Sequence, residues 1–278
     1  MVHYDLHLHS RASDGALAPA ELVSLCAAQG VQVMALTDHD TLVGINEARL
    51  AAENLGLNLI VGTELTCLWN RRSIHILGLG LDDAFQGVKD YEAELFCLRQ
   101  ERAKRISERL IKKGIDSSIF DLAMSYSEGG QIGRPHFAKA LVKLRHVKTL
   151  QEAFDHYLGQ NKVGDVKALW PDMKRAVGFI RQAGGVAVIA HPTKYKMTFT
   201  KLRELVFDFK KAGGEGIEVG YPGLNPDQGR ELLKLATHQE LLMSAGSDFH
   251  NSFNSWTLPG RFPVLEVNEQ HVLSRLLL

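Results

Sequence analysis

The sequence predicts an α/β protein, a distorted (β/α)7 barrel into which a helical subdomain is inserted. Short apolar runs alternate with longer amphipathic stretches at both ends of the chain, as in buried parallel strands covered by helices. Between them lies a segment with helical periodicity and almost no strand pattern. The 278 residues are enough for one barrel with a large core. We predict that residues 1–85 and 166–278 form the barrel, and that residues 86–165 form a helical insert covering the active site.

The first part of the chain predicts the order β-α-β-α-β-β. Proline at a helix start and glycine just past its end mark the first helix, between Pro19 and Gly30. Asp40 or Thr41 can cap the second helix, and Gly56 can end it. The predicted strands cover residues 4–10, 31–36, 59–61 and 73–79, and the predicted helices cover residues 20–29 and 41–55.

The insert is helical, and the α/β alternation returns after it. Residues 91–113 predict one long helix, because apolar side chains recur there at helical spacing. From Pro171 onward strands and helices alternate again. In order, we predict helices over 117–124, 135–144, 149–157 and 171–183, a strand over 186–190, a helix over 200–212, a strand over 216–219, a helix over 225–238, strands over 241–245 and 264–267, and a short final helix.

Composition favours an ordinary globular protein of a reducing compartment. The formal net charge is zero, so no global field attracts the chain to nucleic acid or to an anionic membrane. Cys26, Cys67 and Cys97 are odd in number and lack the spacing of a disulfide framework. No apolar run approaches the length of a membrane span, and the first residues do not resemble a signal peptide. We expect a cytoplasmic protein without a membrane segment or an obligate protein partner.

The strongest functional signal is the pair His7 and His9 on the first predicted strand. Side chains two residues apart in a strand point to the same face, so both imidazoles can reach one metal ion. Further His, Asp and Glu residues follow apolar runs elsewhere, at strand ends where barrel enzymes place their active sites. His75 differs, since it lies early in its strand or in a two-stranded excursion. The candidate ligands are His7, His9, Asp14, His39, Glu64, His75, His191, Asp248 and His250.

Nine nitrogen and oxygen donors exceed what one ion of four to six coordination sites can use. They suit two or three ions bridged by a carboxylate such as Glu64. Ligation without thiolate disfavours a structural zinc–cysteine site and suits Mn, Fe or catalytic Zn. Of these we predict Mn²⁺. Asp38, next to a candidate ligand, can orient a ligand histidine through a hydrogen bond.

Six motifs resemble those of the PHP (polymerase and histidinol phosphatase) family of metal-dependent phosphoesterases. They comprise residues 5–10, 37–41, 62–64, 75, 190–192 and 246–250. The resemblance implies a distorted seven-stranded PHP barrel with a trinuclear site. It assigns His7, His9, Glu64 and Asp248 to one ion, Glu64, His75 and His191 to a second, and Asp14, His39 and His250 to a third.

The motif order is similar to one subgroup, bacterial 3′,5′-nucleotide bisphosphatases and 5′→3′ oligoribonuclease-like enzymes, and residues 13–15 and 133–138 carry this similarity. It implies that Arg134 binds a remote phosphate, with its guanidinium beside a helix N-terminus. The candidate substrate contacts are Arg134, His136, Lys162 and Tyr221. Structural alternatives remain open: His136 as a surface residue, Lys162 as a solvated lysine, and Tyr221 as a packing residue.

The predicted activity is hydrolysis of the 3′-phosphate of nucleoside 3′,5′-bisphosphates, which gives nucleoside 5′-monophosphate and phosphate. The expected nucleophile is a metal-bound hydroxide, with no protein nucleophile. The first alternative is a 5′→3′ exoribonuclease acting on short 5′-phosphorylated RNA. Histidinol-phosphate phosphatase and a non-catalytic metal-binding module are further alternatives. The intact ligand set argues against the last of these.

Overall fold

Seven strands form one sheet in which the spatial order follows the chain. The computed structural model describes residues 2–167, 169–251 and 257–277. The strands are β1 (Tyr4–Asp5), β2 (Val33–Leu36), β3 (Asn58–Trp69), β4 (Arg72–Leu79), β5 (Val186–Ile189), β6 (Gly216–Gly220) and β7 (Leu242–Ala245).

The sheet curves until its first and last strands meet. β1, β2 and β3 are parallel, and so are β5, β6 and β7. Just past β1 and β7, Leu8 and Phe249 form a parallel bridge, and the N–H of His9 donates to the carbonyl of Phe249 at 2.9 Å. The predicted α/β barrel fold is therefore confirmed as a nearly closed, distorted barrel. Its parallel strands bring their carboxyl ends to one rim.

β4 interrupts the parallel order, because it returns from β3 in a hairpin and pairs antiparallel with both neighbours. Asn70 and Arg71 form the turn, with φ of 47° and 61°. The predicted third strand, residues 59–61 with Glu64 at its end, is too short, because pairing with β4 extends β3 to Trp69. Glu64 still lies level with the end of β2, where His39 and Glu64 form a parallel bridge.

β1 is shorter than predicted, ending at Asp5 rather than at residue 10. Beyond Asp5 the backbone bonds to scattered partners instead of one neighbouring strand. The N–H of Leu8 donates to the Thr37 hydroxyl at 3.0 Å. The N–H of His9 donates instead to the carbonyl of Phe249, where the two ends of the sheet meet.

The helices lie between the strands and in the long connection from β4 to β5. They are α1 (Pro19–Ala28), α2 (Ile45–Leu55), α3 (Gly87–Ile111), α4 (Ile119–Ser127), α5 (Arg134–Lys143), α6 (Leu150–Ala153, continued by a π-helical turn, Phe154–Leu158), α7 (Met173–Gln182), α8 (Phe199–Lys211), α9 (Pro226–His238) and α10 (Leu273–Leu276), with a 3₁₀ turn at Pro192–Tyr195. None of the described helices has both the length and the apolar character needed to cross a membrane.

Two local predictions are wrong. Asp40 and Thr41 do not cap α2, whose N-cap is Gly44. Residues 264–267 form no strand. There the chain crosses the end of the barrel and bonds to a side chain: the N–H of Leu265 donates to the Tyr4 hydroxyl at 3.3 Å, and that hydroxyl donates to the Leu265 carbonyl at 3.2 Å.

The helical segment α3–α6, in the connection from β4 to β5, has a hydrophobic cluster of its own, which includes Ile106, Ile119, Phe137, Leu141 and Leu158. The first turns of α3 instead pack into the barrel core through Val88, Tyr91 and Leu95. α3 thus belongs to both clusters, and the division of the chain at residues 86 and 165 stays a prediction.

The helical segment reaches the barrel rim just before α5. The N–H of Gln131 donates to the carbonyl of Ala12 at 2.9 Å, and its side-chain amide donates to the carbonyl of Asp40 at 3.1 Å. A Cβ on Gly130 would lie 2.6 Å from the same Ala12 oxygen, so the close approach requires glycine. The segment therefore lies against the loops that follow β1 and β2.

Candidate metal centre

All nine candidate ligands lie together at the carboxyl-end rim of the barrel. Each of them belongs to at least one group of donors whose ligand atoms lie within 4.8 Å of one another. The groups are His9, Asp14, His39 and His250; His7, His191 and Asp248; His7, His9 and Glu64; and His39, Glu64 and His75. The grouping differs in part from the ion assignment that the resemblance implies, because His191 joins His7 and Asp248 and His9 joins the Asp14 group.

Glu64 is the centre of the cluster. Its Oε1 lies 2.9 Å from Nδ1 of His75 and 2.8 Å from Nε2 of His191. Its Oε2 lies 3.0 Å from Nδ1 of His39 and 3.3 Å from Nε2 of His9. A fully buried carboxylate with imidazoles against both oxygens is suited to bridge two cations.

His7 and His9 point to the same place, as their spacing predicts. Their Nε2 atoms are 3.0 Å apart, and Oδ1 of Asp248 lies 3.4 Å from each of them. Leu8 between them is fully buried on the opposite side, in the barrel core.

Asp14 approaches the centre from the loop after β1, where Oδ1 lies 3.3 Å from Nε2 of His250. Asp38 holds this loop, because it accepts hydrogen bonds from the backbone and hydroxyl of Ser10 and from the Ser13 hydroxyl, at 2.6–2.8 Å. The expectation that Asp38 orients a histidine is therefore wrong, because its carboxylate accepts hydrogen bonds from serines instead. Gly15 makes the turn possible, since a Cβ there would lie 2.3 Å from the His9 carbonyl oxygen.

Two of the three candidate ligands that follow β5 have unusual backbone conformations. His191 has φ of 28° and Asp248 has φ of 51°, and such values in non-glycine residues concentrate at functional sites. His75 reaches the centre from the antiparallel strand β4, so its position early in that strand faces the same rim as the ends of the parallel strands.

Glu218 is a buried residue of the centre that sequence reasoning missed. Its Oε1 accepts from Nδ1 of His7 at 3.0 Å, and its Oε2 accepts from the backbone N–H of His191 at 2.5 Å. One carboxylate thus fixes the His7 tautomer with Nε2 free for a metal, and holds the backbone of a second ligand. The available signal was an acid within the apolar run of residues 216–219.

We expect Glu218→Ala to lower metal affinity about 10- to 100-fold, because His7 loses the group that orients it. Glu218→Gln keeps a hydrogen-bond acceptor but loses the charge, so its metal affinity should lie between those of wild type and Glu218→Ala. Competition with a chelator, followed by elemental analysis, measures the effect. Glu215→Gln is the matched control, because Glu215 pairs with Arg275 outside the cluster. Equal affinities for all four proteins would contradict this role of Glu218.

The donor set fits divalent cations. Among the described residues, His9 Nδ1, Asp14 Oδ1, His39 Nδ1, Glu64 Oε2 and His191 Nδ1 are buried and make no hydrogen bond of acceptable geometry, although Glu64 Oε2 and His39 Nδ1 lie 3.0 Å apart. Burial raises the pKa of Glu64, but His75, His39 and His7 outweigh it and hold that pKa well below its usual range. Asp14 and Asp248 behave alike, with pKa values held low against burial mainly by His250 and His7 respectively. Ionised carboxylates and unpartnered imidazole nitrogens are what a divalent ion coordinates.

The candidate substrate contacts are spread over two regions. Arg134 begins α5, half-buried, and its Nη1 donates to the Leu158 carbonyl at 3.1 Å. His136 is buried, and its Nδ1 accepts from the N–H of Gly133 at 2.9 Å. Lys162 is exposed in the turn after the π-helical segment. Tyr221 is 1% exposed and its hydroxyl is 2.8 Å from that of Thr193, so the structure packs it into the core.

Together, the barrel and the centre define a hydrolase of the metal-dependent phosphoesterase class. The sequence profile of the PHP domain matches residues 5–184, and the chain belongs to the PHP family.

Relatives with assigned activities are similar over most of their length. A 5′-3′ exoribonuclease of Haemophilus influenzae is 44% identical over 89% of this chain and 89% of its own. A 3′,5′-nucleoside bisphosphate phosphatase of Chromobacterium violaceum is 40% identical over 90% of this chain and 88% of its own. Among solved structures, an amidohydrolase from Chromobacterium violaceum with bound sulfate has a TM-score of 0.90 and 36% identity, covering 99% of this chain and 95% of that one.

Proposed function

We propose that this protein removes the 3′-phosphate from nucleoside 3′,5′-bisphosphates, giving the nucleoside 5′-monophosphate and phosphate. The observation that carries the proposal is the cluster of nine donors around Glu64, which has the composition of a multinuclear phosphoesterase centre. The 40% identity to a bisphosphate phosphatase supports the substrate class.

We assign Mn²⁺ to the centre, in two or three ions, with Fe or Zn as alternatives. His7, His9, Glu64 and Asp248 would hold one ion, with the remaining ligands around the others. Bound cations supply an activated water nucleophile and positive charge for the phosphoryl oxygens. The nearby hydroxyls of Ser10 and Ser13 are buried and donate to Asp38, where they hold the loop after β1, so we assign neither of them as a nucleophile.

A cationic corner beside the centre can hold the second phosphate. Burial lowers the pKa of Arg102 to about 9, and the like charges of Arg134 and Arg99 add to this effect. Arg99 is paired with Asp40, and both Arg99 and Arg102 lie over the Trp170 ring, at 5.5 and 6.0 Å. Guanidinium groups crowded together in a partly buried position favour an anion, and a 5′-phosphate has the matching charge.

His136 contributes shape rather than charge to this corner. Burial lowers the pKa of His136 to about 4, so its imidazole is neutral at pH 7. Its bond with the N–H of Gly133 caps the first turn of α5, which presents Arg134. Lys162, which is exposed, stays in the proposal as an outer substrate contact, whereas the expected contact from Tyr221 is wrong, because that side chain is buried with its hydroxyl engaged by Thr193. A cytoplasmic location stays part of the proposal as well, and rests on the three free cysteines.

A second candidate is a 5′→3′ exoribonuclease on short 5′-phosphorylated RNA. The 44% identical relative from Haemophilus influenzae, named for that activity, favours it. The same centre would hydrolyse a phosphodiester, and the cationic corner formed by Arg99, Arg102 and Arg134 would hold the terminal 5′-phosphate. The two activities differ in the leaving group and in the length of chain that must fit beside the centre.

A substrate panel tests the proposal. Purified protein loaded with Mn²⁺ should release phosphate fastest from 3′,5′-bisphosphates, more slowly from 3′-monophosphates, and not from 5′-monophosphates. Short 5′-phosphorylated RNA is followed in parallel by the appearance of mononucleotides. Release of mononucleotides without phosphate release from bisphosphates would replace the first candidate by the second. No hydrolysis of either substrate would overturn both.

A further inference from the structure

Lys194 stands at the exposed edge of the centre, although no motif singles it out. Its Nζ lies 2.5 Å from Oδ2 of Asp248, the carboxylate whose Oδ1 faces His7 and His9. The Lys194 side chain is 44% exposed, whereas that of Asp248 is 11% exposed. The carboxylate of Asp248 therefore lies between the ammonium group and the imidazole nitrogens of His7 and His9, with the ammonium group on the solvent side.

The backbone beneath Lys194 is firmly held. Lys194 lies in the 3₁₀ turn after His191, and its N–H donates to the His191 carbonyl at 2.9 Å. On one side, the N–H of Thr193 donates to the Tyr221 hydroxyl at 3.0 Å. On the other, the Tyr195 hydroxyl donates to the Ala190 carbonyl at 2.7 Å. The turn fixes the start of a long side chain whose ammonium end can shift between neighbouring oxygens.

The charges around Lys194 show what it can bind. Asp14, Glu64, Asp248 and Glu218 bring four carboxylates to the centre, and cations bound by the cluster would neutralise much of that charge on Asp248. A phosphate ester entering from the solvent side then brings new negative charge to the edge where the ammonium lies. The Tyr221 ring, 5.8 Å from Nζ, flanks the ammonium on the protein side.

We infer that Lys194 is a catalytic residue that binds an oxygen of the phosphoryl group at the centre and stabilises the charge developing on it. The inference rests on the proposed phosphoesterase function, but it does not depend on which phosphate ester is the substrate. The competing role is purely structural, with Lys194 serving only to keep Asp248 in place for metal binding.

Binding of inorganic phosphate to the Mn²⁺-loaded protein tests the inference, by calorimetry and as inhibition of hydrolysis. At saturating Mn²⁺, Lys194→Met should weaken phosphate binding about 10- to 100-fold with unchanged metal content, from the loss of one charge-assisted hydrogen bond. Lys194→Arg should recover most of the affinity. Lys196→Met, at an exposed position two residues further on, is the matched control.

Two results would overturn the inference. One is unchanged phosphate affinity in fully loaded Lys194→Met. The other is a loss of affinity that follows metal content and disappears with excess Mn²⁺, which would establish the structural role. The proposed function can fail separately: a wild-type protein that hydrolyses other phosphate esters but no nucleotide, and binds phosphate through Lys194, would refute the substrate assignment and leave this inference standing.

Discussion

Replacing His9 or Asp248 by alanine is expected to empty the centre of metal and to abolish turnover. His9 Nε2 lies within 3.0–3.4 Å of His7, Glu64 and Asp248, so each replacement removes a donor from the most crowded part of the cluster. We expect wild-type protein to carry more than one equivalent of metal, and each variant less than one. The value of kcat/KM should fall by about three powers of ten or more, ~4 kcal/mol of transition-state stabilisation.

Elemental analysis of dialysed protein and phosphate release on the best substrate measure both quantities. His238→Ala, which removes an exposed histidine of α9, is the control and should match wild type. Asp14→Ala is informative beside it, because the donor group of Asp14, with His9, His39 and His250, does not include Asp248. It should cut turnover strongly without unfolding the chain. Full activity with at most one ion per chain would rule out a multinuclear centre.

Arg134→Ala is expected to separate the two phosphates of the proposed substrate. It should lower kcat/KM on 3′,5′-bisphosphates by about one to three powers of ten, from ~1.5–4 kcal/mol of lost charge-assisted binding. The loss on a 3′-monophosphate should be much smaller, because that substrate has no 5′-phosphate to hold. Steady-state kinetics of both proteins on both substrates isolates the contact.

Two further variants sharpen this comparison. Arg134→Lys should recover only part of the loss, since lysine cannot make the two-point contact of a guanidinium. Arg145→Ala, at an exposed position just beyond α5, should change neither substrate. Equal losses on both substrates in Arg134→Ala would mean that Arg134 serves the metal-bound phosphate or the fold. The second phosphate would then be sought at Arg102.

The sequence predicted those parts of the centre that local geometry determines. His7 and His9 share a face because side chains alternate along extended backbone, even though the regular strand stops at Asp5. The candidate ligands His191 and Asp248 follow the short strands β5 and β7, whose carboxyl ends share one rim of the barrel. These placements need only the strand assignment and the direction of the chain.

What sequence could not show depends on partners distant along the chain. Asp40 looks like a helix cap, but Arg99 of α3 approaches its Oδ2 at 2.7 Å, and the N–H of Thr66 donates to its Oδ1 at 2.6 Å. Glu218 gives no periodic signal, because its role arises from contacts with residues 211 and 27 positions away. The end of β3 was mispredicted for a similar reason, since pairing with β4, its partner in the hairpin, determines how far β3 extends.

The Arg99–Asp40 pair joins the helical segment to the residue next to His39. Arg99 also donates to the carbonyl of Ile132, and Gln131 donates to the carbonyl of Asp40, so α3, the turn before α5 and the end of β2 form one buried network. A nucleotide bound at α5 and a cation bound by His39, as proposed, would therefore both act on this network. Thermodynamic linkage then makes the effect reciprocal. If the bound cation raises nucleotide affinity by some factor, the bound nucleotide raises the affinity for that cation by the same factor.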